Sequence, residues 1–253
     1  MLIARIGDPA ANPHACAATL DHIAEAALEH AGGRRDAESL ASSVDYQLFS
    51  VFGFTGNSED YGNPENSYLD RVIERRTGIP ITLSLLYMEV AQRIGLQCEG
   101  VGYPGHFIVL CRGTEDGFYV DPFHQGARLD RMELLAGLRA RAPGAPSPEM
   151  FLLPITRRQI LQRMLNNLRM AYRNNSDDER WHLAVEFQLK IEPWNATLVG
   201  ERGMLNYRLG SPHAALDDLQ LYVNANESEA MHAGAVRLLE QLRTRLRTDE
   251  ETS

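Results

Sequence analysis

The sequence predicts an α+β domain leading into an all-α domain. Three observations carry that reading. From residue 13 to 95 apolar residues recur at helical spacing between cap and stop signals. From 98 to 120 short β-rich runs alternate with Gly and Pro punctuation. Beyond a Pro-rich stretch at 142–154 only helical patterns remain. At 44 % hydrophobic and 23 % charged residues over 253 positions, the chain is too apolar for disorder and long enough for a sizeable core.

Asn12-Pro13 supplies an N-cap and a first-turn proline. Leu20, Ile23, Ala24, Ala27 and Leu28 then share a face, and Gly32-Gly33 stops the helix. A second helix is expected from Asp36 to Phe52, with Leu40, Val44 and Leu48 at i, i+4 spacing, followed by a loop over Gly53 to Gly62. A third begins near Pro64 and carries Tyr68, Leu69, Val72 and Ile73. The fourth, Pro80 to Ile94, is apolar nearly all round, the pattern of a central helix touched on most sides; Pro80 suits its first position and Gly95 its end. Strands follow at Cys98–Tyr103, His106–Cys111 and Phe118–Val120, the last two forming a hairpin.

The first domain is taken as 1–141. Residues 142–154 contain four prolines, which disfavour a helix and mark a boundary. The second domain, 155–250, reads as helices over Thr156–Asn174, Asp178–Ile191, Asn195–Leu209, Ser211–Asn224 and 226–247, with a frayed acidic end. Gly203, Tyr207, Leu209-Gly210, Ala215 and Leu219 fall where a tetratricopeptide unit of about 34 residues places its small, aromatic and turn residues. Pro193 sits where the preceding unit would end, and Trp181 stands where that unit would carry a small residue.

The formal net charge of −9, with Lys190 the only lysine and the arginines scattered, argues against nucleic-acid binding. Three cysteines form neither a disulfide framework nor a zinc motif. The N-terminus lacks a signal-peptide apolar run and no stretch is long enough to span a membrane, so a reducing cytoplasm is expected.

Three segments carry candidate chemistry: Arg75-Arg76-Thr77-Gly78-Ile79-Pro80 opening the central helix, Gly102-Tyr103-Pro104-Gly105-His106-Phe107, and Tyr119-Val120-Asp121-Pro122-Phe123. Helix, strand with histidine, strand with aspartate is the order a Cys-His-Asp site of papain type needs. The helix start lowers a thiol pKa, the imidazole takes its proton, and the carboxylate holds the imidazole. Paired hairpin strands would let His106 and Asp121 meet across the ladder.

Taken together, these segments resemble the bacterial SirB-one family, a transglutaminase-like domain followed by tetratricopeptide helices; the resemblance covers roughly residues 40 to 240. It implies a papain-like α+β core in which His106 and Asp121 match the histidine and aspartate of the triad. In active relatives the helix opens with glycine, an apolar residue, then cysteine. Here Gly78-Ile79-Pro80 puts proline at the nucleophile position, without a thiol and without an N–H for an oxyanion hole.

Substitutes for the nucleophile are few. On an uninterrupted strand Cys111 would face away from His106; the facing of Cys98 is open, and both read as core fillers. Thr82 and Ser84 in the first helical turns are expected to bond helix carbonyls. His124 could join His106 and Asp121 around a metal, but no ligand motif supports it, and no metal or cofactor is assigned. Glu89 is expected to form a structural ion pair, with Arg93 at i+4 or with Arg75 or Arg76 just before the central helix. Tyr87 and Tyr103 are core-edge aromatics which, with Thr82, Ser84 and Glu89, are expected to border the groove. The sequence therefore points to a degenerate transglutaminase-like protein acting as a protein-binding or regulatory module, its helical repeat taking a protein or peptide partner. The alternative is a hydrolase or acyl-transfer enzyme using His106 and Asp121 with an unusual nucleophile, water or metal. Oligomeric state is left open.

Overall fold

A computed structural model describes residues 3–8, 10–113, 117–141, 147–225 and 232–251. They fall in two compact units, Met1–Met164 and Leu165–Ser253. The proline-rich break at 142–154 and this division do not coincide, since the latter falls inside a helix; residues 142–146 lie outside the described residues.

In the first unit, helix α1 (Pro13–His30) starts where Asn12 accepts the amides of His14 and Ala15. Helix α2 (Ala37–Asp45) is capped by Asp36. The single helix expected to Phe52 changes pitch instead: Tyr46–Val51 winds as a π-helix. A two-residue strand β1 (Thr55–Gly56), inside the expected loop, pairs in parallel with β2 (Thr77–Gly78). Helix α3 (Leu69–Arg75) follows a 3-10 turn at Pro64–Ser67, and Arg76 in the left-handed region ends it. Helix α4 (Pro80–Arg93) buries nine residues from Pro80 to Ala91 and is central, as its composition predicts.

The sheet has four antiparallel strands in sequence order: β3 (Cys98–Val101), β4 (Ile108–Cys111), β5 (Phe118–Asp121) and β6 (Ala127–Leu129). Alternation along the strands sends Val109, Cys111 and Val120 into the cluster that also holds Leu83, Leu86, Tyr87 and Val90 of α4. Ile108, Leu110 and Tyr119 face the other way, onto helix α5 (Arg131–Arg141) and the 3-10 turn Pro148–Leu152. β6 and α5 were not anticipated. β4 starts two residues later than expected, because the left-handed Gly105 turns the chain and His106 N–H bonds the Tyr103 carbonyl. His106 thus precedes the ladder rather than lying on it.

Helix α6 (Arg157–Asn174) runs from the first unit into the second. The second unit continues with α7 (Asp178–Ile191), α8 (Ala196–Arg208), α9 (Pro212–Ala225) and α10 (His232–Glu251). Helix α10 is helical through residue 251, past the point where fraying was expected. Gly203 lets α8 approach α9 closely: a Cβ there would lie 3.0 Å from Asp218 and Leu219 side chains. Trp181, too large for its repeat position, is buried with its indole N–H on Glu201, which also pairs with Arg169. Arg202 forks onto both oxygens of buried Asp218 (2.8 and 2.6 Å) and reaches Glu186 (2.7 Å). Among the described residues no helix is long and apolar enough to cross a membrane.

Candidate functional site

Asp121 ends β5 and caps the 3-10 turn Pro122–His124: its Oδ1 accepts the amides of Phe123 (3.0 Å) and His124 (3.3 Å). Its other oxygen, Oδ2, meets two imidazoles, His106 Nε2 at 2.8 Å and His124 Nδ1 at 2.7 Å. The Asp121 side chain is 6 % exposed, His106 20 % and His124 66 %. Burial alone would push the Asp121 carboxyl up; hydrogen bonds from both histidines outweigh it, and its pKa lies below the usual carboxylate range. An ionised carboxylate only accepts, so both ring nitrogens donate. Nδ1 of His106, the nitrogen turned away from Asp121, has no hydrogen-bond partner among the described residues.

Packing fixes this turn. Phe123 fills the space above Gly56 of β1, where a Cβ would lie 2.6 Å from its ring, and meets His106 edge to face at 5.9 Å. The strand side is held from α6 and α4. Arg163 donates to the His106 carbonyl (2.8 Å) with its guanidinium over Phe107, and Ser84 Oγ donates to the Phe107 carbonyl (3.4 Å).

At the head of α4, Pro80 is the buried first residue. Thr82 Oγ1 accepts the Ile79 amide (3.1 Å) and donates to the Asn66 carbonyl (2.8 Å). Asn66 is itself fully buried, bonded to the Asp60 carbonyl and to Asn57.

Residues 14–166 match the transglutaminase-like superfamily, and residues 168–243 match the tetratricopeptide repeat. The chain belongs to the transglutaminase-like superfamily. A UPF0162 protein of Xylella fastidiosa (strain Temecula1) is 37 % identical over 72 % of this chain and 66 % of its own. A UPF0162 protein of Vibrio cholerae is 26 % identical over 79 % of this chain and 73 % of its own. Human F-box only protein 21 is 31 % identical over 68 % of this chain and 28 % of its own. The chain thus spans 66 % of the length of the Xylella relatives it matches. No solved structure matches it.

Within this transglutaminase-like domain the remaining expected site residues scatter. Thr82, Ser84 and Tyr87 are buried and bonded to carbonyls, so they border no groove. Tyr103 is buried with its hydroxyl on the Leu134 carbonyl, and it reaches His106 only through its backbone. Glu89 is exposed and pairs with Arg93 (2.7 Å), which also reaches Asp21. It lines a separate groove of about 920 Å³ with Met88, Gln97, Arg112 and Arg157. Cys98 and Cys111 are directly opposed in β3 and β4 with Sγ atoms 2.8 Å apart, so each thiol faces the other. Their mutual hydrogen bond and burial push the Cys98 thiol up, the opposite of an activated nucleophile. Sequence reasoning did not find Arg163, Asn66 or the role of Phe123. Arg163 lies 57 residues beyond His106 and has no local motif; the turn-forming run Asp121-Pro122-Phe123 was the available signal for Phe123.

Proposed function

We propose that this chain is a transglutaminase-like domain without a nucleophile, acting as a binding or regulatory module rather than an acyl-transfer enzyme. One observation carries the reading: among the described residues no thiol or hydroxyl is hydrogen-bonded to His106, and proline heads α4. Acyl transfer by this arrangement needs a nucleophile within reach of the base. The hydroxyls of Thr82 and Ser84 donate to carbonyls, and the thiols of Cys98 and Cys111 bond each other.

In this reading His106 and Asp121 are what is left of a triad, and the chain is a bacterial protein of the SirB-one type working in the cytoplasm. Its tetratricopeptide helices take a protein or peptide partner; Leu183, Tyr207 and Leu221 expose apolar surface there. The experiment has two arms. Purified protein is assayed against activated esters and against glutamine peptides with amine acceptors; no turnover above that of His106→Ala is expected. In parallel, cross-linking mass spectrometry on the full chain with its co-purified partner is expected to map contacts to 165–251. Turnover lost in His106→Ala would overturn the reading, and so would a partner cross-linked only to the first unit.

A further inference from the structure

We propose that His106, Asp121 and His124 form a site for one divalent transition-metal cation of the zinc class. Their candidate ligand atoms all lie within 4.8 Å of one another. Two imidazoles and one carboxylate are a donor set that suits Zn²⁺, Co²⁺ or Fe²⁺ and not Mg²⁺ or Ca²⁺, which prefer all-oxygen shells.

The carboxylate is prepared for this work. Asp121 Oδ1 is held by the amides of Phe123 and His124, which aims Oδ2 at both rings, and hydrogen bonds that orient a ligating carboxylate are what a metal centre requires. The turn is anchored by Phe123 over Gly56, so it does not have to be ordered by the ion. His124 is two-thirds exposed, which gives an ion a way in from solvent.

In the metal-free arrangement two ring N–H groups share Oδ2. On binding, the cation takes the place of those two protons. Each imidazole coordinates through the nitrogen that now donates, and its proton moves to its other nitrogen. No electron is transferred, and water leaves the ion. Bonds of about 2.0–2.2 Å in a tetrahedral shell set ligand atoms roughly 3.3 Å apart, so the two N···O separations open by about half an ångström. The exposed His124 ring can make that adjustment. Three protein ligands leave one position open to solvent. The site stands apart from the partner-binding reading, and either can fail without the other.

The test is calorimetric titration of tag-free, metal-stripped full-length protein with ZnCl₂, with Co²⁺ visible absorption as a second readout. One equivalent is expected. Asp121→Asn and His124→Ala should each weaken it by about tenfold or more, since even loss of an outer-shell partner weakens metal sites by 10–100-fold. His14→Ala and His213→Ala, on exposed positions elsewhere, should leave it unchanged. His124→Ala keeps the test open if Asp121→Asn fails to fold, because the His124 side chain is largely in water. Absent saturable binding, binding undiminished in His124→Ala, or displacement of zinc by millimolar Mg²⁺ would each overturn the proposal.

Discussion

At the head of α4, Thr82 and Asn66 are fully buried and bonded within the protein, and Pro80 closes the helix start. At the Asp121 turn, a buried carboxylate faces two imidazoles that reach solvent. In the reading proposed above, the two regions correspond to the two halves of one triad site. In that reading the first is ordinary helix architecture, while the second gathers two imidazoles on one buried carboxylate. An exposed histidine such as His124 contributes little burial, whereas the Thr82 hydroxyl is tied into the structure at both ends.

That contrast predicts a ranking of effects. The largest is expected at Thr82→Val, which leaves the Ile79 amide and the Asn66 carbonyl without this partner in a dry interior. At about 1–3 kcal/mol for each of the two unsatisfied groups, a loss of roughly 2–6 kcal/mol should appear in denaturant unfolding followed on the first unit. A loss under about 1 kcal/mol would mean that the head of α4 is not closed.

Next comes Asp45, at the end of α2, which is paired with Arg128 (2.9 Å). Burial outweighs Arg128 and raises its pKa to about 6. A carboxyl raised in the folded state contributes stability below its unfolded pKa and loses it as pH rises through the folded value. Stability should therefore fall between about pH 4 and pH 6 by up to roughly 3 kcal/mol, and Asp45→Asn should flatten that fall. Equal slopes in the two proteins would contradict the burial argument. Gly126 leaves room for this carboxylate: it sits at φ +80°, and a Cβ there would lie 2.2 Å from Asp45 Oδ1.

Asp121 should behave in the opposite sense. Its carboxyl is held below the usual range, so its contribution is full above the ordinary carboxylate pKa and disappears as pH falls through the lowered one. Asp121→Asn should be destabilised by about 2 kcal/mol near neutrality, with the gap to the native protein narrowing in acid, as read by urea midpoints across pH. A gap independent of pH would show that the charge of Asp121 does not matter. The smallest effect is expected at His124→Ala, under about 1 kcal/mol without metal, because that side chain is mostly in water. A larger loss would make the histidine structural and erase the contrast between the two regions.

Much of the fold was legible because caps and stops are local. Asn12, Asp36 and Asn195 each cap a helix, and the apolar run from Pro80 marked the central one. The two-residue ladder of β1 and β2 and the short β6 were not legible, since such strands carry too little pattern to separate from loop. The His106–Asp121 pair was legible from order and spacing, but its geometry was not. The Pro104-Gly105 turn moves His106 off the strand, so it meets Asp121 beyond the end of the ladder. The grouping of His124 with His106 and Asp121 was legible from its place three residues after Asp121, whereas the hold of Arg163 on the His106 carbonyl depends on where α6 packs and is not written in local sequence.

The most direct test of the central claim is the alkylation rate of the thiol introduced by Pro80→Cys, with Cys16, Cys98 and Cys111 as internal references in the same chain. If Pro80 occupies the nucleophile position beside a preserved base, the new thiol should react with iodoacetamide near neutral pH faster than an ordinary thiol of pKa about 8.5, and His106→Ala should slow it by about tenfold or more. A rate no faster than that of an ordinary thiol, or one indifferent to His106, would contradict the account.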